Sequence, residues 1–285
     1  YEVPLMLQRE RMDDLVCQLL RLDTPAANMT HWQDIIRKLV APQHRVRIGV
    51  VGKYMGLQDA YKSVYEAIIH GGVANDCGVE IERIDSEQIE KEGAEKLLHG
   101  LGGVLIPGGF GERGIQGKIM AARHAREHNI PYLGPSIEFA RHVLNLEGAH
   151  STEFDKSTPH PVIAMLEEQK GIMNMGGTMR LGAQPVQLQV GTKAARLYGA
   201  FVANERHRHR YEFNNHYREQ FEQAGFIFAG TSANGELVEL IELRDHPFFV
   251  ACQFHPEFQS KPNAAHPLFR GFIAAVHQHL VQKGT

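Results

Sequence analysis

From Arg45 onward, short apolar runs and amphipathic stretches alternate along the chain. Val46–Val51, Val79–Ile84, Gly103–Ile106 and Pro131–Leu133 have strand character. Between and after them come helical patterns: one with Tyr61, Val64 and Ile68 on one face, then Ser86–Leu98, Ile115–Glu127 and Ile137–Leu146. Asp59 is placed to cap the first of these. Strands that return parallel need crossovers, usually helices, and the sheet they build is covered on both faces. The alternation therefore predicts an α/β fold, a mostly parallel central sheet flanked by helices. Later the pattern changes. Val186–Val190, Gly225–Thr231, Leu237–Leu243 and Phe248–Ala251, with the turn signal Asn234-Gly235, predict an antiparallel strand extension whose last strand rejoins the sheet. His266–Val281 closes the chain as a helix.

Residues 1–45 form a separate helical lead-in, and 46–285 hold the sheet domain. Leu15, Val16, Leu19, Leu20 and Leu22 make an apolar stripe ended by Pro25. Thr30-His31-Trp32-Gln33 has the form of a capping box opening a second helix. This part reads as a linker or a docking surface. The opening Tyr1-Glu2-Val3-Pro4, without an initiator Met, marks the chain as a piece of something longer.

The bulk properties remove whole classes of function. A net charge of -3 leaves no basic excess for phosphates and argues against a nucleic-acid partner. Cys17, Cys77 and Cys252 have no paired spacing, which suits a reducing, cytoplasmic setting and excludes a disulfide framework or a cysteine zinc site. No apolar run has transmembrane length and no signal peptide stands at the start, so no membrane partner is expected.

Chemistry concentrates at Phe248–Phe258. There a buried strand breaks into Gln253-Phe254-His255-Pro256-Glu257, the point at which open α/β sheets bind ligands. Pro256 biases His255 toward extended backbone, and on an extended segment His255 and Glu257 point to the same side. A carboxylate beside an imidazole can hold its tautomer and stabilise its protonated form. A second cue follows the third strand. Pro107-Gly108-Gly109-Phe110-Gly111 could turn its N–H groups toward a developing oxyanion, and it could equally be a plain glycine turn. Gly109–Gly114 matches the dinucleotide pattern GxGxxG, yet the apolar Ile130–Leu133 stands where a ribose-binding acid would be needed. Gly49–Tyr54 lacks the spacing of a phosphate-binding loop.

Taken together, Ile106–Gly111 and the downstream Gln-Phe-His-Pro-Glu resemble the class I (triad) glutamine amidotransferases. Gly52-Lys53-Tyr54, Asp59–Ser63, Ser151–Phe154, Gly176–Gly182 and Glu205–Glu212 are similar to the branch whose ammonia serves the ATP-dependent amination of UTP to CTP. The resemblance implies hydrolysis of L-glutamine to glutamate and ammonia. His255 would be the general base and Glu257 its orienting partner, with Gly109 giving an oxyanion N–H. Glu153 would meet the substrate's amino group and Arg210 would help fix the glutamine. No metal ligand and no cofactor belong to this part. The resemblance further implies an N-terminal synthetase domain that uses ATP and Mg2+, and a homo-oligomer at full length.

One element departs from that pattern. The family's nucleophile is a cysteine on a strand–turn–helix elbow, in a run like Gly-Ile-Cys-Leu-Gly-Met-Gln, due after Pro131-Tyr132-Leu133-Gly134. Here the nucleophile is missing: Gly134 runs directly into Pro135-Ser136-Ile137. Ser136 suits a helix N-cap better than an attacking hydroxyl. A second abbreviation falls between Met165–Lys170 and Gly171–Met175. Either both segments are left out of this sequence, or the elbow is deleted and the domain survives as a binding or regulatory module.

Overall fold

The computed structural model describes residues 1–285 apart from Phe110, Ser136, 166–178 and Thr285. Its centre is a nine-stranded sheet in the order β2-β1-β3-β4-β12-β11-β10-β7-β8. The parallel half consists of β2 (Cys77–Asp85), β1 (His44–Gly52), β3 (Gly103–Leu105), β4 (Tyr132–Leu133) and β12 (Phe249–Cys252). The antiparallel half continues through β11 (Val238–Leu243), β10 (Phe226–Ser232), β7 (Arg180–Leu188) and β8 (Val202–His209). A small second sheet joins β5 (His150–Ser151), β6 (Pro161–Ala164) and β9 (Glu212–Phe213).

Side chains on successive strand residues point to opposite faces, and this sends the central strands' apolar residues into two cores. Val104, Ile106, Tyr132 and Phe249 enter one, packed with helices α5 (Ser86–Glu92), α6 (Ala94–Leu98), α7 (Ile115–Glu127), α8 (Ile137–His142) and α10 (Arg218–Gln223). Leu105, Leu133 and Val250 enter the other, under α4 (Lys62–Ala74), α9 (Lys193–Tyr198) and α11 (Pro267–Lys283). Tyr132 and Phe249 stack with ring centroids 4.3 Å apart, so β4 and β12 are joined by side chains as well as by backbone.

Helix α7 approaches α5 closely through two glycines, Gly114 and Gly117, that both face Ser86. A Cβ at Gly117 would lie 1.8 Å from the Ser86 carbonyl oxygen, a backbone atom that cannot step aside. The Gly117 N–H, free in the first turn of α7, is taken by Glu90 Oε1 at 2.9 Å. Gly117→Ala is expected to cost about 1–3 kcal/mol through overpacking. Thermal denaturation checks this; an unchanged midpoint would mean the helices separate freely.

The lead-in comprises α1 (Val3–Arg9), α2 (Met12–Leu20) and α3 (Thr30–Val40). Neither α1 nor α2 buries a residue, and the stripe from Leu15 to Leu22 stays largely exposed. Only Ile35 of α3 is buried. Tyr1 links α3 to α4: its carbonyl accepts from Trp32 Nε1 at 2.8 Å, and its hydroxyl meets Glu66 and His70 on α4.

Several local expectations are corrected. Thr30 is the first helical residue of α3 rather than its cap, and it is the Thr30 N–H that donates to a side chain there, Asn28 Oδ1. Asp59 lies in a 3-10 turn, Gln58–Tyr61, and does not cap α4. The stretch Ser86–Leu98 is two helices, broken at Gly93, whose φ of +90° no helix can carry. Helix α8 stops at His142, four residues short of the expected end. β8 is a strand that apolar alternation could not reveal, because it contains almost no aliphatic residues. Ser136 as a cap, and most of the abbreviated loop at 165–175, lie outside the described residues.

Candidate active site

Adjacent parallel strands bring three loops to one edge. β4 lies between β3 and β12, with Leu133 opposite both Leu105 and Val250. The backbone ties continue past the strand ends, Ile106 N–H to Leu133 O at 2.9 Å and Gly134 N–H to Val250 O at 3.0 Å. The glycine turn after β3, the Gly134–Pro135 step after β4 and the His255 loop after β12 therefore open side by side. A Cβ at Gly134 would come within 2.8 Å of the Ile106 carbonyl oxygen and of the Tyr132 hydroxyl, so only glycine fits there.

His255 and Glu257 meet. The imidazole Nδ1 lies 2.8 Å from Glu257 Oε1, which leaves Nε2 for chemistry. They do so on a different backbone from the extended segment expected: Pro256–Gln259 is a 3-10 turn, and His255 precedes it. Proline favours that turn by fixing its own φ at the first position. The turn folds Glu257 back onto the ring, and Phe258 stacks on the ring at 5.3 Å. The His255 N–H is bound by the Arg206 carbonyl of β8 at 2.8 Å.

The glycine turn is held by two lysines that the residue-by-residue reading left without a role. Lys53 Nζ donates to the Gly111 carbonyl at 2.9 Å, and Lys118 Nζ to that of Pro107 at 3.1 Å. Gly111 has φ +82°, which requires glycine. Burial, with Lys53 repelling it, pushes the Lys118 ammonium down to about 8. Two cations behind the turn favour negative charge in front of it. Glu153 belongs to the same neighbourhood: burial raises its carboxyl, and the Lys53 charge opposes that rise. Arg210 is exposed just past the end of β8.

β8 carries a second surprise. In Glu205-Arg206-His207-Arg208-His209-Arg210 the arginines are exposed while Glu205 and His207 are buried and His209 is half-buried. Arg180 on β7 reaches inward beside them, 2.7 Å from Glu239 and 3.3 Å from Glu212. His207 Nδ1 and His209 Nε2 are 2.9 Å apart. Ligand atoms of His207, His209 and Glu239 all lie within 4.8 Å of one another, close enough for a metal ion. The Arg180 guanidinium supplies the positive charge at that point. The sequence signal was there, a strict period of two written in charged residues, though hydropathy does not register it.

Burial, reinforced by Arg180, pushes His207 down to about 3 and His209 to about 4. Burial also lowers His246, behind β12, to about 4. Imidazoles held below their unfolded value of roughly 6.5 give stability that is full above that pH and lost as pH falls toward 4. Glu212, raised by burial to about 7, works the other way between its unfolded value and 7. His70, His124, His150 and His279 are lowered as well, and Glu153 and Glu239 are raised like Glu212, so seven imidazoles stand against three carboxyls and stability should fall on acidification from pH 6.5 to 5.5. Melting curves at pH 6.5 and 5.5 test this; equal or higher stability at pH 5.5 contradicts it.

An imidazole–carboxylate pair and a glycine turn, carried on strands that open at one edge of a parallel sheet, suit one class of protein. A glutamine amidotransferase class-I family model matches residues 56–275, and the chain belongs to that family. Within it the chain belongs with the glutaminase domains of CTP synthases. It is 54% identical over 282 residues to the CTP synthase of Halalkalibacterium halodurans, covering 96% of this chain and 53% of that protein. The CTP synthase of Listeria innocua is 51% identical with the same coverage. The chain thus spans about half the length of the curated relatives it matches. The glutaminase domain of Trypanosoma brucei CTPS, solved with bound acivicin, superposes with a TM-score of 0.77 at 36% identity, covering 82% of this chain and 94% of that one. Alignment with the Bacillus subtilis CTP synthase, 49% identical, runs over 290 positions, more than the 285 residues here. That relative therefore carries residues inside the aligned span that this chain lacks.

Proposed function

We propose that this domain hydrolyses L-glutamine by acyl transfer and hands the ammonia to a synthetase half. The observation that carries the reading is the 2.8 Å His255–Glu257 contact beside the glycine turn. With the missing elbow restored between Gly134 and Pro135, its thiolate attacks the side-chain amide carbon, with His255 Nε2 as general base. N–H groups around Gly109 and after the nucleophile hold the oxyanion. His255 protonates the departing ammonia, the acyl group remains as a thioester, and a water activated by His255 releases glutamate. Glu153 meets the substrate's ammonium and Arg210 its carboxylate. In the whole protein the ammonia aminates UTP at the expense of ATP, with Mg2+ accompanying the nucleotide, a ligase reaction of pyrimidine biosynthesis. That protein works in the cytoplasm as a homo-oligomer, with residues 1–45 as the interdomain lead-in and 46–285 as the amidotransferase domain. Three free cysteines and no described helix long and apolar enough to cross a membrane are consistent with this setting.

One observation favours a second reading: Gly134 is followed directly by Pro135 and no cysteine stands there. On that reading the domain binds glutamine, or a similar metabolite, without turning it over. Calorimetry with L-glutamine tests what both readings share. Binding should be measurable, and Glu153→Gln should weaken it about 10–100-fold by removing a charge-assisted contact. Equal affinity in the variant would remove Glu153 from the site.

A further inference from the structure

The His255–Glu257 pair is held from behind by three consecutive residues of β8. The Arg206 carbonyl accepts from the His255 N–H at 2.8 Å. At the other end of the 3-10 turn, Gln259 Nε2 donates to the Asn204 carbonyl at 2.9 Å and to Glu205 Oε2 at 2.6 Å. Both ends of the segment that contains Glu257 are thus pinned to Asn204–Arg206. Glu205 is only 2% exposed, and its other oxygen takes Tyr198 Oη at 2.6 Å and His266 Nε2 at 2.9 Å. The direction of the last bond is set by the fold. His266 Nδ1 accepts the Leu268 N–H that opens α11, at 3.2 Å, so the ring proton sits on Nε2 and is donated to Glu205. Ser260, the next residue on, accepts from the His266 N–H and bonds His70, which fixes the exit of the turn.

We propose that Glu205 and Gln259 are positioning residues for the base: through the clamp on the 3-10 turn they keep Glu257 against His255 Nδ1. The proposal deepens the role given to His255 above. The geometry says why a carboxylate is used. Glu205 must accept from three donors at once, which an amide at that position cannot do, because its NH2 would face the Gln259 NH2. With the clamp intact, Glu257 fixes the His255 proton on Nδ1 and leaves Nε2 as the acceptor that general-base work requires.

The test reads the tautomer. Long-range 1H–15N NMR on the 285-residue chain at pH 8, without glutamine, reports which ring nitrogen of His255 carries the proton, with assignment by loss of the signals in His255→Gln. The unaltered chain should show the Nδ1–H form. Gln259→Met, which cuts the clamp at a half-buried side chain, and Glu205→Gln should lower the ratio of Nδ1–H to Nε2–H several-fold. Tyr198→Phe removes a donor from Glu205 without touching the turn, so it should lower the melting temperature and leave the tautomer alone. An unchanged ratio in Gln259→Met, or an equal change in Tyr198→Phe, overturns the proposal and reduces Glu205 to a satisfied buried acid. If Glu205→Gln does not fold, Gln259→Met decides alone. Since no glutamine is present, a failure of the glutaminase reading would show separately, as absent glutamine binding.

Discussion

Given L-glutamine, a polypeptide whose mass equals the 285-residue sequence will bind it and release almost no glutamate. The attacking species in this chemistry is a thiolate, and the three cysteines present cannot supply one at the sheet edge. Cys17 lies in α2 of the lead-in. Burial raises the Cys77 thiol, and it sits at the start of β2, away from the strand end where the loops open. Cys252 is close in sequence to His255, yet burial first, then the Glu205, Glu257 and Glu239 charges, pushes its thiol well above the ordinary range. Loss of a triad nucleophile lowers turnover by about 10⁴–10⁶. Inserting an elbow of the form Gly-Ile-Cys-Leu-Gly-Met-Gln after Gly134 should recover most of that factor. His255→Ala in the same background should then remove it again, since nucleophile and base act as a unit. A coupled glutamate assay gives the rates, and labelling by a glutamine-analogue electrophile locates the thiol. Turnover or labelling at Cys252 in the uninserted chain would overturn this account.

Arg180→Met should be the most destabilising single substitution of a charged residue in the domain. It leaves Glu239 and Glu212, both with fully buried side chains, without the cation that lies 2.7 and 3.3 Å away. Breaking one partner out of a buried ion pair costs about 3–5 kcal/mol, far more than the pair contributes over an apolar replacement. For a chain of this size the melting temperature should fall by roughly 6–15 °C. The two carboxyls are already raised by burial, and without Arg180 they take up protons at higher pH still. The gap between variant and unaltered chain should therefore narrow as pH falls. Replacing all three together, Arg180→Met with Glu212→Gln and Glu239→Gln, should recover most of the loss. A loss below about 1 kcal/mol would mean that water enters and screens the pair.

Much of the architecture can be read from the chain. β1, β2, α7, β10, β11, β12 and α11 begin and end within two or three residues of where apolar periodicity puts them. The His255–Glu257 pair and the glycine turn are visible because proline, glycine and a strand end announce them locally. Lys53, Lys118, Arg180 and Glu239 are not visible in that way. Each acts on a residue about 10 to 60 positions away, and nothing in its immediate neighbourhood distinguishes it from a solvated charge. β8 escapes for a related reason, because its inward face is built from Glu205, His207 and His209.

Local sequence thus suffices for the strands, the helices and the two short motifs, since backbone preference and hydrophobic period act over a few residues. It also suffices to show that no thiol stands where the elbow is due. Bringing the glycine turn, Gly134 and His255 to one edge required β4 to pair between β3 and β12. Pinning the turn after His255 to Asn204–Arg206 required β8 to come alongside it from the far end of the sheet. Those are non-local pairings, chosen by how the two cores close over the sheet, and no short window of sequence contains both partners.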